Sequence, residues 1–207
     1  MVASNSSPLV YLAALGDFEL LRHLFGKIAI PQAVFEEVVV GGADFPVAHC
    51  MQGAMASWLS VQAIADTAEA DRIRVAGLHR GESDAIVLAT ELGSEALLMD
   101  DGDGIRFAVA AGANVIRTPG IYRLAKQRQF IAAIRPKLDD LRRAGFWLRD
   151  EHYRIILDSS STVCDAKWRQ LVDSTQGDAS RREILVSRHF SQIAAIRSCY
   201  LQLSARS

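Results

Sequence analysis

The chain has 207 residues, of which 50% are hydrophobic and 23% charged, with a formal net charge of −1 at pH 7. This is the make-up of a soluble globular protein with ample apolar material for a core, one domain with an appendage. No apolar run reaches the ~18 residues of a membrane span, and three distant cysteines without a CxxC pair argue against a zinc site or a disulfide framework.

Val2–Ala3 enters as a strand. Ser7 and Pro8 predict a helix start, because Ser can accept from an exposed backbone N–H and Pro needs no partner in the first turn. Leu9, Leu12, Ala13 and Leu15 continue at near-helical spacing to Gly16, and a second helix is expected over 18–25. Ile28 to Ile30 reads as a buried strand, after which Pro31 opens a helix carrying Ala33, Val34, Glu37 and Val38. Residues 41–60 are ambiguous: Gly41–Gly42 breaks the pattern, 48–59 could be helical, and 61–64 reads as a strand or an edge.

Gly81 precedes a helix over 82–92, with Ala85, Leu88, Ala89 and Leu92 on one stripe. Ala96 to Met99 is an apolar strand, Asp100 to Gly104 a turn, 105–111 a helix and 114–116 a strand. Thr118–Pro119 repeats the Ser7–Pro8 start, and 136–157 reads as two helices parted at Gly145. Alternating strands and helices with short connections imply a parallel sheet covered on both faces. From about Asp158 the character changes: 159–162 resembles a linker, and 158–207 is an appendage with weak periodicity apart from 184–200. With no basic flank leading into an apolar signal core at the N-terminus, a cytoplasmic location is expected.

Charge is unevenly spread. Residues 1–122 hold 15 Asp and Glu against 7 Lys and Arg, whereas residues 123–154 hold 4 against 9. An acidic site beside a basic strip suits an enzyme gripping an anionic polymer; a solvated helix face is the plainer reading of any single basic residue.

The acidic and amide positions recur at the ends of β-to-α units: Asn5, Glu36 and Glu37, Glu82 and Asp84, and Asp100, Asp101 and Asp103. In an open α/β sheet ligands lie at the carboxyl ends of the strands. Mg²⁺ or Mn²⁺ prefers oxygen donors and keeps several waters, so it needs only a few carboxylates there and can promote attack on a phosphodiester. Plainer readings stand beside this one. Glu82 and Asp84 fall in a first helical turn, where carboxylates complement the dipole; that reading is preferred for Glu82 and the functional one for Asp84. Asp100 to Gly104 has turn chemistry, yet three aspartates exceed what a turn requires. Glu37 belongs to an apolar stripe, and an inward carboxylate needs a partner. Asp101 to Gly104 opens like a calcium loop but lacks a closing Glu. No phosphate-binding glycine motif, nucleophile elbow or histidine metal spacing is present.

Four blocks in order, Ser4 to Leu9, Ile30 to Val38, Gly81 to Ala89 and Leu97 to Asp101, resemble those of PIN-domain proteins. The likeness covers roughly residues 1–157 and is strongest to bacterial PIN-like proteins often paired with small antitoxins; the stretch Leu138 to Phe146 resembles a segment that follows their core. The resemblance implies a three-layer α/β/α fold with four or five parallel strands and C-terminal helices. It also implies a Mg²⁺- or Mn²⁺-dependent ribonuclease, commonly a VapC-type toxin with a cognate antitoxin, and commonly a homodimer. Its acidic quartet maps to Asn5, Glu37, Asp84 and either Asp100 or Asp101, with Glu82, Asp103 and Ser7 as auxiliaries. Arg106, Arg123 and Lys126 are candidates to meet RNA phosphates. Asn5 departs from the pattern, since an amide oxygen can ligate a metal but brings no charge. A weaker nuclease, or a non-catalytic protein binding RNA or a partner, follows from that departure. An aspartyl-phosphate fold ranks last, because its nucleophile would stand where Asn5 does.

Overall fold

The computed structural model describes residues 1–158 apart from Asp44 and Ala56; the predicted linker, the 184–200 periodicity, Cys164 and Cys199 lie outside the described residues. Two compact units divide the chain, Met1–Ile131 and a second that begins at Ala132.

The first unit is built on five parallel strands, β1 (Val2–Ser4), β2 (Ile28–Pro31), β3 (Leu59–Gln62), β4 (Ala96–Leu98) and β5 (Val115–Ile116), in the order β3-β2-β1-β4-β5. All residues of β1, β2 and β4 are buried, as expected of strands covered on both faces. The helices are α1 (Ser6–Ala14), α2 (Glu19–Phe25), α3 (Gln32–Phe35), α4 (Pro46–Met55), α5 (Thr67–Val75), α6 (Arg80–Glu91), α7 (Gly102–Ala110) and α8 (Thr118–Gln127). One set joins α1 to α4 and α8, with α2 on α8; the other joins α5 and α7 to α6. With the sheet between them they form three layers. The second unit carries α9 (Arg135–Arg143) and α10 (Asp150–Asp158), as the break at Gly145 anticipates.

Several predicted boundaries move for local reasons. The cap of α1 is Asn5, so Ser7 and Pro8 lie inside the first turn, where a missing N–H costs nothing. Likewise Arg117 precedes α8, and Thr118 and Pro119 are its first residues. The helix after Pro31 is α3 followed by one π-helical turn, Glu36–Val40, closed by Gly41 N donating to Glu36 O at 2.9 Å. Such wide turns recur at functional sites. Helix α5 lies in a stretch without a sequence-based assignment; Asp66 caps it by accepting from Glu69 N at 2.9 Å, and Glu91 accepts from Ala65 N and Asp66 N at 2.9 and 2.7 Å.

The strand order reverses direction between β1 and β4, which places the ligand crevice of such sheets at their carboxyl ends. The far side of the unit is tied by Tyr122, fully buried on α8, whose hydroxyl donates to Asp17 Oδ2 at 2.7 Å between α1 and α2. Replacing Tyr122 with Phe removes a hydrogen bond to a charged acceptor and is expected to cost about 2 kcal/mol, read as a lower urea midpoint at unchanged slope.

Candidate active site

Asn5 sits where β1 hands over to α1. Its backbone N–H donates to Leu98 O at 2.9 Å, which keeps the departing chain on β4. Its Oδ1 accepts from Ser6 N at 2.7 Å, the bond that caps α1, and from Ser6 Oγ at 3.3 Å. The same Ser6 hydroxyl lies 3.3 Å from Glu37 Oε1, so one proton is shared between an amide oxygen and a carboxylate. Glu37 is delivered by the π-helical turn, and Gly81, at the start of α6, makes room for it. A Cβ at Gly81 would stand 2.9 Å from Glu37 Oε2 and 3.5 Å from Asn5 Oδ1. Asn5, Ser6 and Glu37 therefore present oxygens around the one position where α6 has no side chain.

The remaining acids are engaged elsewhere. Asp84 is buried one turn along α6; its Oδ1 lies 3.5 Å from an Arg74 amino nitrogen and accepts from Ser83 Oγ at 3.4 Å, and its Oδ2 lies 3.9 Å from Arg80 Nε. Burial raises its pKa above the ordinary carboxylate value, against the opposing pull of both arginines. Asp100 receives Thr118 N at 2.8 Å on Oδ1 and Thr118 Oγ1 at 2.6 Å on Oδ2, which fastens the start of α8 to the end of β4. Burial raises its pKa too, more than nearby Arg117 and the Thr118 bonds lower it. The buried Tyr11 hydroxyl is pushed up by burial and then by the charge of Asp100. Asp101 caps α7, its Oδ1 accepting from Asp103 N and Gly104 N at 2.9 Å each; its Oδ2 accepts no hydrogen bond among the described residues.

Among the described residues no three Asp, Glu, His or Cys side chains stand together as a metal-holding group. Each acid has local contacts. Arg74 and Arg80 stand 3.5 and 3.9 Å from Asp84, Thr118 bonds both oxygens of Asp100, and two α7 amides bond one oxygen of Asp101. The auxiliaries are equally local. Glu82 accepts from His79 N at 3.0 Å at the mouth of α6, in keeping with the helix-start reading. Asp103 pairs with Arg106, and the Ser7 side chain makes no hydrogen bond among the described residues. Arg123 is half-buried and Lys126 exposed, both on α8.

Residues that sequence reasoning missed are Ser6, Gly81, Arg74, Arg80 and Thr118. Arg80 precedes Asp84 by four positions on one helix, a spacing legible as an ion pair. Arg74 comes from α5 and carries no local signal.

A family profile described as a PIN domain matches residues 1–162. The chain belongs to the PIN-domain family. No curated protein and no solved structure matches it. For a PIN-domain protein the test is whether these residues suit a hard divalent ion. The amide, hydroxyl and carboxylate oxygens around Gly81 do suit one chemically, with a single carboxylate among them. Mg²⁺ is commonly held by one or two carboxylates together with substrate phosphates, so the donor set fits a weakly held ion rather than a preformed cage.

The buried carboxyls set a pH dependence. A carboxyl whose pKa is raised on folding contributes stability below its unfolded value, and that contribution is lost as pH rises through the raised value. Asp100→Asn keeps an oxygen for Thr118 N and cannot ionise. The stability of this variant relative to the parent is therefore expected to improve as pH climbs from about 4, measured by urea unfolding across pH; a pH-independent difference would show that Asp100 ionises freely.

Proposed function

We propose that this PIN-domain protein is a metal-dependent endoribonuclease that hydrolyses RNA phosphodiesters, with Mg²⁺ or Mn²⁺ held by Asn5, Ser6 and Glu37. The reading rests on the convergence of Asn5 Oδ1 and Glu37 Oε2 on the side-chain gap at Gly81, beside the β1–β4 crevice. When bound, such an ion supplies positive charge to a phosphate and lowers the pKa of an attacking water. Glu37 brings the negative charge of the site, and Ser6 Oγ steadies its Oε1. Asp101 offers its open Oδ2 from the neighbouring strand end. Asp84, whose proton burial holds more tightly, is the group suited to give or take a proton at a reacting oxygen. Asp100 serves by holding α8 in place. A toxin role, restraint by a cognate antitoxin and a homodimeric state are part of the proposal and rest on the sequence resemblance alone.

A second reading, an RNA- or partner-binding protein without catalysis, draws on the uncharged Asn5 and on the two arginines beside Asp84. Cleavage of single-stranded RNA with Mn²⁺ separates the two. Glu37→Gln is expected to lower the rate by roughly 10²-fold or more, and Asn5→Asp, which restores a charge, is expected to raise it. Equal rates in parent and Glu37→Gln would remove Glu37 from the mechanism. Absence of cleavage by parent and Asn5→Asp alike, with RNA binding unchanged in EDTA, would establish the binding reading.

A further inference from the structure

A groove of about 380 Å³ opens at the carboxyl ends of β2 and β3, lined in part by Gln32, Thr67, Asp71, Arg74, Arg80 and Asp84. Two guanidinium groups from different helices face it, and neither is fully spent. Arg74 reaches Asp71 Oδ1 at 2.9 Å, but its contact with Asp84 is 3.5 Å, and its buried Nε has no hydrogen-bond partner among the described residues. Arg80 donates to Glu36 Oε2 at 2.8 Å, while its Nε stands 3.9 Å from Asp84 Oδ2, too far for a hydrogen bond. Charge-assisted N–H···O bonds close to about 2.7–2.9 Å, so both arginines hold Asp84 loosely while an outer carboxylate aims each of them. A buried donor without an acceptor calls for one.

We propose that Arg74 and Arg80 form a phosphate subsite that binds a nucleic-acid phosphate in this groove, taking up the donors that Asp84 leaves half-used. The subsite rests on the ribonuclease reading above and deepens it. Guanidinium forks match phosphate oxygens in pairs, and a phosphate offers both arginines closer acceptors than the two long Asp84 contacts. Arg80 also stands in the first turn of α6, where backbone N–H groups favour an anion. It precedes Gly81 in the chain, the residue beside which Glu37 Oε2 and Asn5 Oδ1 lie. Gln32 and Thr67 add neutral polar groups to the groove, suited to sugar or base contacts.

The experiment is fluorescence anisotropy of the full chain with a labelled single-stranded RNA oligonucleotide in EDTA, 5′-phosphorylated or 5′-hydroxyl, across a salt series. The variants are Arg74→Gln, Arg80→Gln and the double substitution. Each single variant is expected to weaken binding several-fold and to reduce the slope of log affinity against log salt by about 0.7, a change that a packing defect does not produce. Arg80 is more than half exposed (58%), so its variant is expected to melt like the parent. If Arg74→Gln melts early, Arg74→Lys, which keeps the charge and loses the fork, is expected to keep the slope and lose affinity. A loss confined to the 5′-phosphorylated oligonucleotide assigns the groove to a terminal phosphate, and an equal loss on both assigns it to the backbone. RNA binding and cleavage by the parent with affinity and slope unchanged in the variants would overturn the subsite and leave the ribonuclease reading intact. A parent that neither binds nor cleaves RNA would overturn both.

Discussion

The amide of Asn5 donates to the carbonyl of Leu98, and the rest of the site hangs from that bond. It extends the β1–β4 pairing one residue beyond the strand, at the point where the chain must turn away into a helix. The Asn5 side chain can then cap α1, and the capping oxygen faces Glu37 and Gly81 instead of solvent. An aspartate at this place would keep the cap and add a charge. The amide keeps the geometry without that charge, and Ser6 Oγ links it to Glu37. The local architecture of the crevice is thus kept with one negative charge fewer than an aspartate would bring.

Around that centre, acids and bases alternate. Glu36 meets Arg80, Arg80 leans toward Asp84, Asp84 faces Arg74, and Arg74 meets Asp71. The chain of charges crosses from the π-helical turn to α6 and on to α5. Its weakest links are the two at Asp84, the buried member. A buried carboxylate is costly unless closely paired, and loose pairing leaves burial as the dominant influence on its proton. Asp100 differs in its bonds, both of its oxygens being taken at short range by one threonine, yet burial outweighs them there as well.

The fold was readable because its signals are local. Apolar runs such as Ile28 to Ile30 and Ala96 to Met99, separated by helical stripes, can bury themselves only as a parallel sheet between helices. Caps were harder to read: Asn5 and Ser7 are both good capping residues, and the Asn5 side chain accepting from Ser6 N decides between them. The site was legible as a set of positions and not as a set of partners. Nothing near Asp100 in sequence announces Thr118, and nothing near Asp84 announces Arg74. Such pairings depend on how helices far apart in the chain pack together, which periodicity does not encode. Glu82 and Asp103 read as auxiliaries for the same reason, because a carboxylate spent on its own helix start or on a neighbouring arginine looks identical in sequence to one kept for a ligand.

Gly81 sets two demands against each other. As a residue within a helix it is a poor choice, since alanine loses less backbone freedom on folding. As a gap beside Glu37 Oε2 it has no substitute, because even a methyl group would intrude on that oxygen. Selection for backbone rigidity would thus favour alanine here while pressing on Glu37 Oε2 beside Asn5. Rigidity of the helix and the placement of a carboxylate diverge at a single carbon atom.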